Sequence, residues 1–147
     1  MPIEILRNQL QSKQLHLCYI LMSDELLLLN EARALILETA KKMGFTDKIL
    51  FTVESGFNWN EVKKQTQNVS LFAEKKCLDI RMQNGTLNKE GLAFFLHYVE
   101  TLKKQPDENT LLILSVPKLE SKTQKTEWFS QLKAVSSYFV FAAPKIG

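Results

Sequence analysis

The sequence predicts an α/β domain built on a mostly parallel sheet of about five strands. Short, almost wholly apolar runs alternate along the chain with segments whose apolar residues recur every third and fourth position. The stretches joining them are short, and neither an internal repeat nor a low-complexity linker interrupts the pattern. With 147 residues, 45% of them hydrophobic and 24% charged, the chain is long enough for one sizeable core and reads as one domain, not two.

The elements follow in order. Ile3, Ile5, Leu6 and Leu10 stand among polar residues between 3 and 14, as in a short amphipathic helix. His16 to Met22 is nearly all apolar, which suits a strand covered on both faces. Ser23 and Asp24 then offer an N-cap with Glu25 in the first turn, and a leucine-rich helix runs to Lys41, Lys42 and Met43, with Gly44 as its C-cap. Ile49 to Val53 is the second strand. After a turn at Glu54-Ser55-Gly56, Asn58 is placed to cap a helix, with Glu61 at the capping-box position. Trp59, Val62, Thr66 and Val69 share one face of that helix. Cys77 to Met82 is the third strand, with Asp79 and Arg81 alternating against Leu78, Ile80 and Met82. Gly85 and Asn88 mark a turn, and Leu92, Phe95, Leu96, Val99 and Leu102 define an amphipathic helix that ends before Pro106. Leu111 to Val116 is the fourth strand, Ser121 to Ala134 a further helix with Trp128, Phe129 and Leu132 inward, and Tyr138 to Phe141 the last strand.

Several function classes fall away on composition. No apolar run approaches the length of a membrane span, and the mixed-charge N-terminus does not read as a signal peptide, so a cytoplasmic protein is expected. Cys18 and Cys77 sit inside apolar runs, as buried thiols in a reducing compartment do. The net charge of +3 is mild. The lysine doublets at 41–42, 63–64, 75–76 and 103–104 suit solvated helix surface near helix ends, with an approach to nucleic acid as the alternative.

Catalytic patterns are equally sparse. The first strand-to-helix turn, Met22-Ser23-Asp24-Glu25-Leu26, has no glycine and no Lys-Ser/Thr pair, and carries two carboxylates where a phosphate would sit. Asp79 lies within its strand, where pairing with a neighbouring base makes it structural. His16 and His97 fall in apolar-patterned elements, which points to structural roles, and with Cys18 and Cys77 they give no zinc spacing. No Gly-x-Ser-x-Gly elbow or paired-cysteine motif is present, so neither cofactor nor metal is expected.

One stretch breaks the usual polarity of loops. Asn68-Val69-Ser70-Leu71-Phe72-Ala73 puts two large apolar side chains between a helix and a strand. They either fold into the domain's own core or stand out as an anchor for a pocket on another protein.

The order of these motifs resembles the N-terminal domain of the delta subunit of the bacterial DNA polymerase III clamp loader. The matching residues are Tyr19 to Glu25 with the leucine-rich helix to Glu31-Ala32, Trp59 ahead of Ser70-Leu71-Phe72-Ala73, the strands Cys77 to Met82 and Leu112 to Ser115, Pro117-Lys118-Leu119, and Trp128-Phe129. The resemblance covers essentially the whole chain. Ser23 departs from it, since family members often carry glycine there.

The resemblance implies a P-loop-NTPase-like, AAA+-like three-layer domain whose phosphate loop is degenerate and which neither binds nor hydrolyses ATP. It implies a non-enzymatic role, that of binding the ring-shaped sliding clamp (the beta subunit) and opening it or holding it open for loading onto primed DNA. Leu71 and Phe72 would enter a hydrophobic pocket of the clamp, with Ser70, Ala73 and Gln67 around them. Residues 1–143 would form this domain and 144–147 the start of a linker to collar domains that join the other loader subunits, with primed DNA met only indirectly. The rival readings are a nucleotide-binding regulatory domain of a P-loop relative and a DNA-binding module using the lysine doublets.

Overall fold

The computed structural model describes residues 2–12, 14–67 and 74–142. The elements are α1 (Pro2–Gln11), β1 (Cys18–Met22), α2 (Leu26–Lys42), β2 (Asp47–Val53), α3 (Asn60–Gln67), β3 (Lys76–Met82), α4 (Lys89–Lys104), β4 (Thr110–Val116), α5 (Ser121–Gln124), α6 (Glu127–Ala134) and β5 (Ser137–Val140). The strands make one five-stranded sheet in the order β2-β3-β4-β1-β5, and each neighbouring pair is parallel. The α/β class and the parallel sheet are therefore as the sequence predicts.

The residue types explain the layers. Every residue of β1 and β4 is buried, which is why these strands are apolar without alternation. Successive side chains leave a strand on opposite faces, so Tyr19, Leu21, Leu111 and Ile113 meet Leu29, Ala32 and Ile36 of α2, together with Leu6 and Leu10 of α1. Ile20, Met22, Leu112 and Leu114 meet the opposite layer, with Phe95 of α4 and Trp128, Phe129 and Leu132 of α6. At the sheet edge β2 has no buried residue and leaves Leu50 48% exposed.

Helix ends follow the sequence signals with local differences. Gly44 takes a φ of 100° just past the C-cap of α2, and the Gly44 and Phe45 amides donate to the Lys41 and Ala40 carbonyls at 3.1 and 2.9 Å. These two bonds are a Schellman closure, the physical reason for glycine at this position. At the other end of α2 the N-cap is Glu25 instead of Ser23 or Asp24; the Ser23 hydroxyl accepts the Glu25 amide at 2.9 Å. In α3 the Asn58 side chain accepts the Asn60 amide at 3.1 Å, while the Glu61 carboxylate pairs with Lys64 at 3.6 Å in place of closing a capping box.

Three expectations are corrected. The helix anticipated over 121–134 is two helices, because Thr126 turns extended (ψ 153°) to become the N-cap of α6. Neither histidine is packed within an element: His16 precedes β1 and is exposed, and His97 is on the outer face of α4. The last strand ends at Val140, although the Phe141 amide still donates to Met22 at 2.9 Å.

Candidate functional site

The segment that carries the Leu-Phe pair, 68–73, lies outside the described residues, so Val69, Ser70, Leu71, Phe72 and Ala73 have no stated position. Gln67 is the last residue of α3. What the structure gives is the mounting on either side.

On the α3 side the mount is aromatic. Trp59, just before the helix, is 3% exposed, and Val62 is fully buried. The indole packs edge-on against Phe57 and Phe95 with ring centroids 5.1 and 5.3 Å apart, and stacks on Phe94 at 5.7 Å. Gly91 makes room for it: a Cβ there would stand 2.7 Å from Cε2 and Nε1 of the indole. The Asn88 side chain caps α4 by accepting the Gly91 amide at 2.8 Å, so the residue that begins α4 also fixes the seat of Trp59. Of the face anticipated for α3, Trp59 and Val62 are buried, Thr66 is half-buried and Val69 falls outside the described residues.

On the β3 side, Lys75 is tethered to the C-terminal end of α2. Its Nζ donates to the Met43 carbonyl at 3.3 Å and lies 5.4 Å from the centre of the Phe45 ring. A hydrogen bond with Asp47, reinforced by that residue's charge, pushes the Glu74 carboxyl above its ordinary pKa. The β3-side flank thus stands at the amino-terminal edge of the sheet, where β2 and β3 begin in register at Asp47 and Lys76, whereas Trp59 packs on Gly91 in the first turn of α4, which follows the carboxyl end of β3.

Between α3 and α4 runs a groove of about 350 Å³, floored by Trp59, Phe94 and Tyr98 and rimmed by Lys63, His97 and Asp107. Sequence reasoning gives His97 a structural role within its helix; its three-residue spacing from Phe94 is the signal that it borders the same surface.

The opposite, carboxyl-terminal edge is where open parallel sheets place ligands, at the point where successive crossovers leave on opposite faces. Here that point lies between β1 and β4, since α2 covers one face and α6 the other. The β1–α2 turn is tied to the chain after β4: the Ser23 amide donates to the Val116 carbonyl at 3.1 Å, and the Asp24 carboxylate accepts the Lys118 amide at 2.9 Å. Asp79 does pair with a neighbouring base, because Arg81 donates to its two oxygens at 2.9 and 3.4 Å. No group of three or more His, Cys, Asp and Glu among the described residues is arranged to hold a metal. The thiols are buried, and burial pushes Cys18 up to about 12 and Cys77 to about 11, which leaves both protonated and unreactive at neutral pH. No described helix is long and apolar enough to cross a membrane.

Known proteins resemble this chain in sequence and in fold. The chain is 28% identical over 133 residues to the DNA polymerase III subunit delta of Escherichia coli, covering 88% of this chain and 36% of that protein. It is 32% identical over 109 residues to the subunit delta of Buchnera aphidicola from Schizaphis graminum, covering 74% of this chain and 30% of the relative. The solved DNA clamp loader delta protein of Bacillus subtilis superposes with a TM-score of 0.73 at 16% identity, over 97% of this chain and 43% of that one, a likeness of fold. The chain spans about a third of the length of the curated relatives it matches. The family model for the DNA polymerase III delta subunit matches residues 19–142, from the start of β1 to past the end of β5, and the chain belongs to that family.

Proposed function

We propose that this chain is the clamp-binding part of a clamp-loader delta subunit and acts by binding, without catalysis. In this reading Leu71 and Phe72 enter an apolar pocket on the sliding clamp, Ser70 and the helix before it set the direction of the pair, and Gln67 and Ala73 line the contact. The domain opens the ring or holds it open for loading onto primed DNA in the cytoplasm. The other loader subunits join through parts of the polypeptide beyond residues 1–143, with 144–147 leading toward them.

The observation that supports this reading best is the family match, which runs continuously through the 68–73 segment. The seat of Trp59 on Gly91 supports it further, because it gives α3 a fixed position from which the chain leaves toward the Leu-Phe pair. Burying one Leu and one Phe side chain is worth roughly 1.5 to 3 kcal/mol each, enough to anchor a modest interface. Opening a ring needs no chemistry: a ligand that prefers the open form shifts the population toward it by its difference in affinity for the two forms.

The test is surface plasmon resonance against the sliding clamp, comparing wild type with Leu71→Ala/Phe72→Ala and checking folding by circular dichroism. Each truncation at a hot spot removes about 2 kcal/mol or more, so the folded double variant is expected to bind at least several hundredfold more weakly. A folded variant that binds undiminished refutes the site, and an unfolded one shows that the pair belongs to the core.

A further inference from the structure

The face of the sheet under α2 is apolar for most of its depth and becomes polar at the carboxyl edge. Residues of β3 and β4 alternate, so Asp79, Arg81 and Ser115 follow Cys77, Leu111 and Ile113 toward α2, and Arg81 and Ser115 are register partners. From α2, Arg33 comes down into this layer and is only 4% exposed. Its Nη1 donates to the Ser115 hydroxyl at 3.0 Å and its Nη2 donates to the Asn30 side-chain oxygen.

Both of those partners are neutral. Among the described residues the one fully buried carboxylate, Asp79, is taken by Arg81, and no carboxylate lies within ion-pair distance of Arg33. Burial pushes the Arg33 pKa down, the Arg81 charge adds to this, and Asp79 opposes it. The layer therefore holds two guanidinium charges against one carboxylate, and a buried cation without a counter-ion is costly.

A crevice of about 280 Å³ opens over this layer, lined among others by Ser23, Asp24, Arg33, Arg81, Gln83 and Ser115. It has room for several water-sized groups. Asp24 is the one acidic residue in its lining, and one of its oxygens already accepts the Lys118 amide. Guanidinium forks match tetrahedral oxyanions in geometry as well as charge.

We propose that this crevice is an oxyanion site, in which a phosphate-class anion binds between Arg33 and Arg81 with the Ser23 and Ser115 hydroxyls as further partners. The anion supplies the counter-charge that Arg33 lacks. It arrives as free inorganic phosphate.

The experiment is an amide NMR titration of the 147-residue chain with sodium phosphate, against sodium chloride at matched ionic strength, with ATP as a second arm. Saturable shifts specific to phosphate are expected around Ser23, Arg33, Gln83 and Ser115. Arg81→Gln should weaken binding about tenfold or more, the effect of losing a charge-assisted donor. Asp79→Asn, which deletes the competing carboxylate, should tighten it severalfold. The opposite signs separate an electrostatic site from damage to the fold, and the second variant decides the matter if the first does not fold. ATP is expected to bind no more tightly than phosphate through these residues, and tighter binding of ATP overturns the assignment to free phosphate. Shifts that chloride reproduces, or two folded variants that both bind like wild type or both weaken, overturn the proposal.

Discussion

Gly91→Ala sets two known effects against each other. Alanine is favoured over glycine by roughly 0.5 to 1 kcal/mol in a helix interior, an upper bound for Gly91 in the first turn of α4, so on propensity alone the substitution should stabilise the helix. The structure opposes this, because the new methyl would lie 2.7 Å from Cε2 and Nε1 of Trp59 and 3.0 Å from Cζ2. An indole is rigid, and this one is hemmed in by Phe57, Phe94 and Phe95, so relief requires moving Trp59 and with it the start of α3. Overpacking of this kind costs about 1 to 3 kcal/mol. The steric effect wins, and a net loss of about 1 kcal/mol is expected, read as a lower urea midpoint at unchanged m-value. Trp59→Phe presents a smaller ring to the methyl, so in a double-mutant cycle Gly91→Ala should cost less in the Trp59→Phe background than in wild type. A Gly91→Ala variant as stable as wild type, or a cycle that is simply additive, would refute the argument that Gly91 is the seat of the tryptophan.

Two further outcomes follow from single contacts. Asn88→Ala removes the side-chain oxygen that accepts the Gly91 amide at 2.8 Å, and should cost about 1 kcal/mol in urea unfolding, whereas Asn88→Ser or Asn88→Asp should restore most of it. Cys18 carries a pH signature: its thiol is pushed from 9.0 up to about 12 by burial, with a hydrogen bond from Ser136 as a smaller opposing effect. The folded state therefore keeps a proton that the unfolded chain loses above about pH 9, so stability is flat below that pH and falls above it, by about 1.4 kcal/mol per pH unit from this group. Cys77, pushed up to about 11, adds a like slope in the same range, so Cys18→Ala should reduce the slope by about 1.4 kcal/mol per pH unit without abolishing it, and an unchanged slope would show that the Cys18 thiol does not contribute.

The sequence patterns are most legible where one force dominates. β1 and β4 are buried on both faces, and burial alone selects their continuous apolar runs. The Gly44 closure is legible because only glycine meets no steric penalty at that φ. The break at Lys125-Thr126 is not, because neither glycine nor proline marks it and Thr126 is as compatible with continuing a helix as with capping one. The electrostatic layer is half visible. Asp79 and Arg81 stand out as charges in a strand, whereas Arg33 is hidden in a helix rich in leucine, although it holds a place in the apolar stripe of Leu29, Ala32, Ile36 and Ala40, which is the pattern of a buried charge. The Leu-Phe pair can be singled out by polarity, while its surroundings depend on residues 68–73, which lie outside the described structure.

The two edges of the sheet impose different demands on the same fold. A parallel sheet offers its carboxyl edge to small ligands because helix N-termini and short turns converge there. In this chain the first such turn carries Ser23, Asp24 and Glu25, and Asp24 is spent on the Lys118 amide, so what remains at that edge is the pair of arginines under α2. The amino edge, which such sheets leave to stability, is where the chain enters β3 after 68–73, held there by Lys75. β3 spans seven residues between the two edges, about 20 Å of packed strand. Coupling across such a distance requires an element with two discrete arrangements. The fully buried central strands have no space for one.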